Sequence, residues 1–124
     1  MVYFQTLEYS GKEASPAQFK NGMLARISVF SNSQNLSLSD FAKTLYFGTP
    51  SEKATTINGQ PAVVLTYSSS NINPESEGPY HFKSYIFQKG SMVFEIEGVT
   101  NYKPTTQSHI QLFEQVVSTF KFTN

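Results

Sequence analysis

The side chains best suited to chemistry include two glutamates in the second half of the chain. Glu95 and Glu97 alternate along a predicted strand, so both carboxylates lie on one face, about 7 Å apart by strand rise. Paired carboxylates at such a spacing are used in glycoside hydrolysis. Alternating charges are also typical of a solvated sheet face. We expect the second arrangement, with Glu95 and Glu97 exposed and Met92, Phe94 and Ile96 facing the core.

A second candidate site surrounds His81, which begins a predicted strand after a loop containing Glu75 and Glu77. If that loop folds back, a carboxylate and an imidazole come together in a hydrolytic site. The alternative is an exposed histidine beside a solvated loop. A Ser-His-Asp triad would need Asp40, but Asp40 matches a helix cap and the chain has no Gly-x-Ser-x-Gly motif. We therefore predict no catalytic residues and no enzyme.

Motifs for metals, phosphates and nucleic acids are missing from the sequence. The chain has no cysteine, no His-x-His or His-Glu-x-x-His pattern and no calcium loop, and its seven glycines are scattered. Nine Lys and Arg residues balance nine Asp and Glu residues, without a basic cluster. We expect no metal, no cofactor and no nucleic-acid partner.

The segment from residue 57 to residue 99 predicts an antiparallel meander on which the rest of the chain packs. Asn58-Gly59 is a strong two-residue hairpin signal, because both positions tolerate positive φ. The apolar run 62–65 predicts one strand, and residues 80–87 and 92–97 predict two more around Lys89-Gly90.

Further strands and two helices are predicted outside this meander. Residues 23–30 alternate between two faces, as in a strand, and Val2–Glu8 forms a less regular candidate. Ser37 with Asp40 matches a capping box that begins a short amphipathic helix, which Gly48 would end. A second helical stripe follows between residues 110 and 120.

These elements together predict one α+β domain over residues 1–124. Its central antiparallel sheet carries helices packed on it. A chain of 124 residues can bury one core without disulfides or metals.

Aromatic residues indicate a binding surface. If the sheet has an open face, we predict that Tyr67, Tyr85 and Phe87 line it and contact a ligand or partner. The long Ser68–Pro79 loop would then act as a lid over a small molecule. The alternative is that a further element, such as the N-terminal segment, covers these rings.

The sequence resembles the PsbP-like family, especially its bacterial lipoprotein and surface-protein branch. The resemblance covers roughly residues 23 to 122. Its motifs are the helix start at residues 36–41, Asn58-Gly59-Gln60-Pro61-Ala62, Tyr85-Ile86-Phe87 with Lys89-Gly90, Val93-Phe94-Glu95-Ile96 and Ser118-Thr119-Phe120-Lys121-Phe122.

This resemblance implies an α-β-α sandwich in an extracytoplasmic bacterial protein, tethered by an upstream lipidated cysteine or membrane segment. It implies no catalytic residues. The family usually opens with a strand like Tyr-Pro-x-x-Trp, which this chain lacks, so we expect a missing first strand and a sheet edge open to homodimerisation.

We therefore expect a non-enzymatic extracytoplasmic domain that binds or assists another protein. Two alternatives remain. One is a small-molecule carrier that uses an open aromatic sheet face, and the other is a hydrolase that uses His81 with glutamates.

Overall fold

The computed structural model describes residues 2–8, 21–46, 50–68, 80–101 and 106–123. Its strands are β1 (Val2–Glu8), β2 (Asn21–Ser31), β3 (Ser51–Ile57), β4 (Gln60–Ser68), β5 (Tyr80–Lys89) and β6 (Met92–Asn101). Its helices are α1 (Leu38–Thr44) and α2 (Thr106–Ser118). The strands form one sheet in the order β1-β2-β6-β5-β4-β3, with every neighbouring pair antiparallel.

The predicted meander is confirmed as the four consecutive strands β3 to β6. Asn58 and Gly59 join β3 to β4 with φ values of 50° and 79°, the left-handed pair of a type I′ turn. Gly90, at φ 61°, turns the chain between β5 and β6. The strand predicted at residues 23–30 is also confirmed, and it pairs with β6.

Helix α1 packs on the face of the sheet formed by β4 and β5. The Ser37 hydroxyl accepts a hydrogen bond from the Asp40 backbone N–H at 3.1 Å, which confirms the predicted N-terminal cap. Phe41 and Ala42 are buried against apolar residues of the sheet. The helix ends at Thr44, and the predicted cap at residue 48 lies outside the described residues.

Helix α2 packs on the opposite face, chiefly over β2 and β6. Its buried residues Phe113 and Val117 join a cluster that includes Met23 and Ile96. Phe120, predicted within the helix, lies beyond its end but still packs against this cluster. The two helices therefore cover opposite faces of the sheet, which confirms the predicted α+β class and its layered arrangement.

The sheet has two edge strands, β1 and β3. The residues of β3 are largely exposed along its length. Among the described residues, neither helix is long and apolar enough to cross a bilayer.

Candidate functional site

A row of polar residues crosses the centre of the sheet on the α1 face. Arg26 on β2 and Ser84 on β5 are the register partners of Glu97 on β6. Directly opposed residues of neighbouring strands share a face, so these three side chains lie side by side. Glu95 occupies the same face two residues earlier, opposite Ser28.

Both glutamates on this face are buried. Glu95 is 5% exposed and Glu97 is 2% exposed. The prediction of an exposed face is therefore wrong, because Tyr46, in the segment after α1, packs against both carboxyl groups. Met92, predicted to be buried, is 37% exposed, although Ile96 is in the core as expected. Carboxylates removed from water need partners, and this face supplies them.

Arg26 provides the countercharge for Glu97. One guanidinium nitrogen, Nη2, lies 2.7 Å from Glu97 Oε1. The Arg26 side chain is 42% exposed, so it connects the buried carboxylate to solvent. Such a pair offsets much of the cost of burying the carboxylate, without necessarily adding net stability.

Tyr46 reaches into the same cluster from the segment that follows α1. Its hydroxyl forms hydrogen bonds with Glu95 Oε2 and Ser84 Oγ and lies 2.9 Å from Glu97 Oε2. Burial, reinforced by the two carboxylates, raises the pKa of Tyr46 far above its usual range. Burial also raises the pKa of Glu95, against the lowering effect of the Tyr46 hydrogen bond.

Tyr67 forms an aromatic wall next to this cluster. Its ring meets the Tyr46 ring edge-on, with centroids 4.9 Å apart, and stacks on Phe82 at 4.5 Å with the planes nearly parallel. Burial, followed by the charges of Glu97 and Glu95, raises the pKa of Tyr67 above its usual range. This phenol therefore stays protonated at neutral pH.

These groups line an open cavity of about 760 Å³, which we call the carboxylate cavity. This volume falls within the range of about 300–1,000 Å³ that is typical of small-ligand sites. The lining combines two carboxylates, one guanidinium, hydroxyls and apolar groups, from Arg26, Ser28, Val29, Phe30, Thr44, Leu45, Tyr46, Tyr67, Glu95 and Glu97.

The predicted binding residues do not lie together. Tyr67 lines the carboxylate cavity, but Tyr85 and Phe87 lie on the other face and are 5% and 0% exposed. The prediction that Tyr85 and Phe87 line an open sheet face is therefore wrong. In the β4–β5 register, Tyr67 pairs with Phe82, so it shares a face with the even-numbered positions of β5. The odd-numbered positions point towards α2, and the Tyr85 hydroxyl donates to Glu114 of that helix.

The residues of the predicted hydrolytic site are only partly described. His81 Nδ1 lies 2.9 Å from Ser68 Oγ on the neighbouring strand. Ser68, predicted in a loop, ends β4, whereas residues 69–79 with Glu75 and Glu77 lie outside the described residues. Asp40 is exposed at the start of α1. Within the described ranges, no group of three histidine or acidic side chains is placed to hold a metal ion.

Three residues that contact Glu95, Glu97 or each other at this site were not among the predicted site residues: Arg26, Tyr46 and Ser84. A usable signal existed for two of them. Arg26 is the charged residue in the alternating strand of residues 23–30, and Ser84 lies within the aromatic strand of residues 80–87. Polar residues within strands that are otherwise apolar indicate a polar cluster, if both sheet faces are assumed to be covered. No sequence pattern indicated that Tyr46 contacts the glutamates, because this contact depends on where α1 ends.

The comparisons with known proteins support the fold and no more. No family model and no curated protein matches the sequence. Among solved structures, the chain is similar to PA94 from Pseudomonas aeruginosa, a protein of unknown function described as a candidate regulator. The TM-score is 0.64 at 19% identity, with 99% of this chain and 83% of PA94 covered. At that identity, the similarity shows a shared α+β fold.

Proposed function

We propose that this chain is a non-enzymatic binding domain whose ligand occupies the carboxylate cavity. One observation carries the proposal: two carboxylates, each more than nine-tenths buried, line an open cavity of small-ligand size. A purely structural sheet face would bury apolar groups at these positions at lower cost. Polar groups that converge in a cavity are the usual means of orienting a ligand.

The ligand class follows from the charges that line the cavity. Glu95 and Glu97 bring two carboxyl groups, and Arg26 is the cationic residue among the described lining residues. The aromatic rings of Tyr46 and Tyr67 form an adjacent wall, and ring faces attract cations. A ligand with an amine or guanidinium group beside an apolar portion would complement this lining.

The source of that group separates two candidates. The resemblance to PsbP-like proteins favours an extracytoplasmic bacterial domain that binds or assists another protein, which would insert a lysine or arginine side chain. The exposed edge strand β3 would give such a partner further backbone contacts. The cavity volume favours the second candidate, a carrier of a free small cation.

A thermal-shift panel of matched ligand pairs tests the proposal. Each pair combines a cation with a neutral analogue of the same shape, such as benzylamine with benzyl alcohol. A ligand that binds only the folded state raises the melting temperature, and the rise grows with the ratio of ligand concentration to Kd. We expect the cation of a pair to raise it more than its neutral partner. If no cation in the panel does so, the proposed ligand class is wrong.

A further inference from the structure

The hydroxyl of Tyr46 has more hydrogen-bonding neighbours than its own proton can serve. Its oxygen contacts three others, Ser84 Oγ, Glu95 Oε2 and Glu97 Oε2. A phenol donates one hydrogen bond and accepts others through its lone pairs. All three contacts can be full hydrogen bonds only if Tyr46 donates to one neighbour and the other two neighbours donate to Tyr46.

Ser84 can serve as one of these donors, because its hydroxyl rotates freely. The remaining neighbour is a carboxyl oxygen, which donates only when it is protonated. All three contacts are therefore hydrogen bonds only when the Glu95–Glu97 pair carries one proton. Without that proton, a carboxylate faces a lone pair of the Tyr46 oxygen inside a buried cluster, which is repulsive.

We infer that this proton acts as a latch on the carboxylate cavity. When the Glu95–Glu97 pair holds it, Tyr46 is fixed across the sheet and forms one wall of the cavity. When the pair releases the proton, the Tyr46 hydroxyl loses a hydrogen bond and the ring moves away. The cavity then opens on that side, while Phe41 and Ala42 keep α1 packed on the sheet.

The other groups around Glu95 are consistent with a single proton at this site. The titratable and charged side chains that face it are Glu97 on β6, Arg26 on β2, Tyr67 on β4 and Tyr46 after α1. Arg26 contacts the Oε1 atom of Glu97, on the other side of that carboxylate from Tyr46, and so leaves the Tyr46 contact without a cation. On α1, Asp40 and Lys43 are exposed and lie 3.7 Å from each other. Burial raises the pKa of Glu95, which makes it the natural holder of the proton.

Carbon-13 NMR of the ligand-free protein tests the latch independently of any ligand. The tyrosine Cζ and glutamate Cδ atoms are labelled, and the Tyr46 signal is assigned from its loss in Tyr46→Phe. The pH is varied from about 4 to about 9, a range that brackets a raised glutamate pKa. We expect Tyr46 Cζ and Glu95 Cδ to shift with one common midpoint, above the usual range of glutamate. A Tyr46 signal that does not change, or that changes with a different midpoint, would overturn the latch.

Glu95→Gln provides the matched variant. The amide has the shape of a carboxyl group and carries its own donor, so it imitates the protonated state at every pH. In this variant, the Tyr46 Cζ chemical shift should keep, at every pH, the value that the unchanged protein shows at low pH. The pH-dependent change should be lost completely. A shift that persists in this variant would contradict the inference. If the variant does not fold, the common midpoint in the unchanged protein still decides the question.

Discussion

Arg26 Nη2 lies 2.7 Å from Glu97 Oε1, and this ion pair joins β2 to β6 beside the carboxylate cavity. Removing the cation leaves a carboxylate that is 2% exposed without its countercharge. We expect Arg26→Met to lower the free energy of unfolding by about 2 kcal/mol. Breaking a fully buried ion pair costs about 3–5 kcal/mol. The loss should be smaller here because the Arg26 side chain is 42% exposed. Urea denaturation at neutral pH measures this loss.

The matched control for that experiment is the exposed pair of Lys43 and Asp40, which lie 3.7 Å apart. We expect Lys43→Met to change the unfolding free energy by less than about 0.5 kcal/mol. The double variant Arg26→Met with Glu97→Gln should recover part of the loss, because the amide leaves no buried charge. Equal losses of unfolding free energy for Arg26→Met and Lys43→Met would show that the buried ion pair of Glu97 stabilises the protein no more than an exposed pair does.

Gly98 allows α2 to approach the sheet. A Cβ atom added there would lie 2.6–2.8 Å from ring atoms of Phe113, closer than real side chains come. We expect Gly98→Ala to destabilise the protein by about 1–3 kcal/mol, the usual range for overpacking a core. Adding Phe113→Leu, which shortens the opposing side chain, should give a double variant less destabilised than the sum of the single changes. Strict additivity in chemical denaturation would mean that the steric contact is not the cause.

Asn58 has two separable roles at the tip of the β3–β4 hairpin. It adopts φ 50°, and its amide Nδ2 donates to the carbonyls of Ser118 at 2.8 Å and Phe120 at 2.7 Å. Asn58→Gly keeps the turn conformation and removes both hydrogen bonds, so we expect a loss of about 1–2 kcal/mol. Asn58→Ala should cost about 1 kcal/mol more, because alanine resists positive φ.

Thermal and urea unfolding of both Asn58 variants provide the measurement. If glycine is as stable as asparagine, the hydrogen bonds to the end of α2 contribute nothing. If Asn58→Ala is as stable as Asn58→Gly, the positive φ at this turn does not destabilise a residue that has a Cβ atom.

The sequence was sufficient to predict most of the fold. Asn58-Gly59 specifies its turn through local backbone chemistry, and the Ser37 cap depends on residues three positions apart. The strand at residues 23–30 follows from strict alternation. These features need only neighbouring residues, and that is why they could be predicted without knowledge of the tertiary structure.

The candidate site could not be predicted in the same way. Alternation showed that Glu95 and Glu97 share a face, but it carries no information about which face is covered. Both faces are covered here, so the rule that charged residues point to solvent failed. The placement of Tyr85 and Phe87 failed for a related reason, because α2 covers the face on which they lie. Tyr46 joins the site through contacts with Ser84 and Glu95 that are 38 and 49 residues away, beyond any local pattern.

The stability of the protein should depend on pH through Glu95. Burial raises the pKa of Glu95 above that of the unfolded chain, about 4.3. The stabilisation from its protonated form is therefore complete below that value and is lost as the pH rises through the folded-state pKa. As the pH rises between the unfolded-state and folded-state pKa values of Glu95, the unfolding free energy of the unchanged protein should fall relative to that of Glu95→Gln. The fall should be up to about 1.4 kcal/mol per pH unit.

Urea denaturation of both proteins, at several pH values from about 4 upward, measures this difference. Glu52→Gln, on the exposed face of β3, serves as the control and should follow the unchanged protein. A constant difference between the unchanged protein and Glu95→Gln across the window would show that Glu95 titrates normally.

Calorimetric titration with benzylamine and benzyl alcohol tests the central claim most directly, because the two probes differ in charge and hardly in shape. Above the folded-state pKa of Glu95, where this carboxylate is charged, benzylamine should bind measurably more tightly than benzyl alcohol. Glu95→Gln should weaken benzylamine binding by about tenfold, or about 1.4 kcal/mol, while Glu52→Gln leaves it unchanged. Equal binding of the two probes, or equal losses in the two variants, would contradict the assignment of the carboxylate cavity as a site for cationic groups.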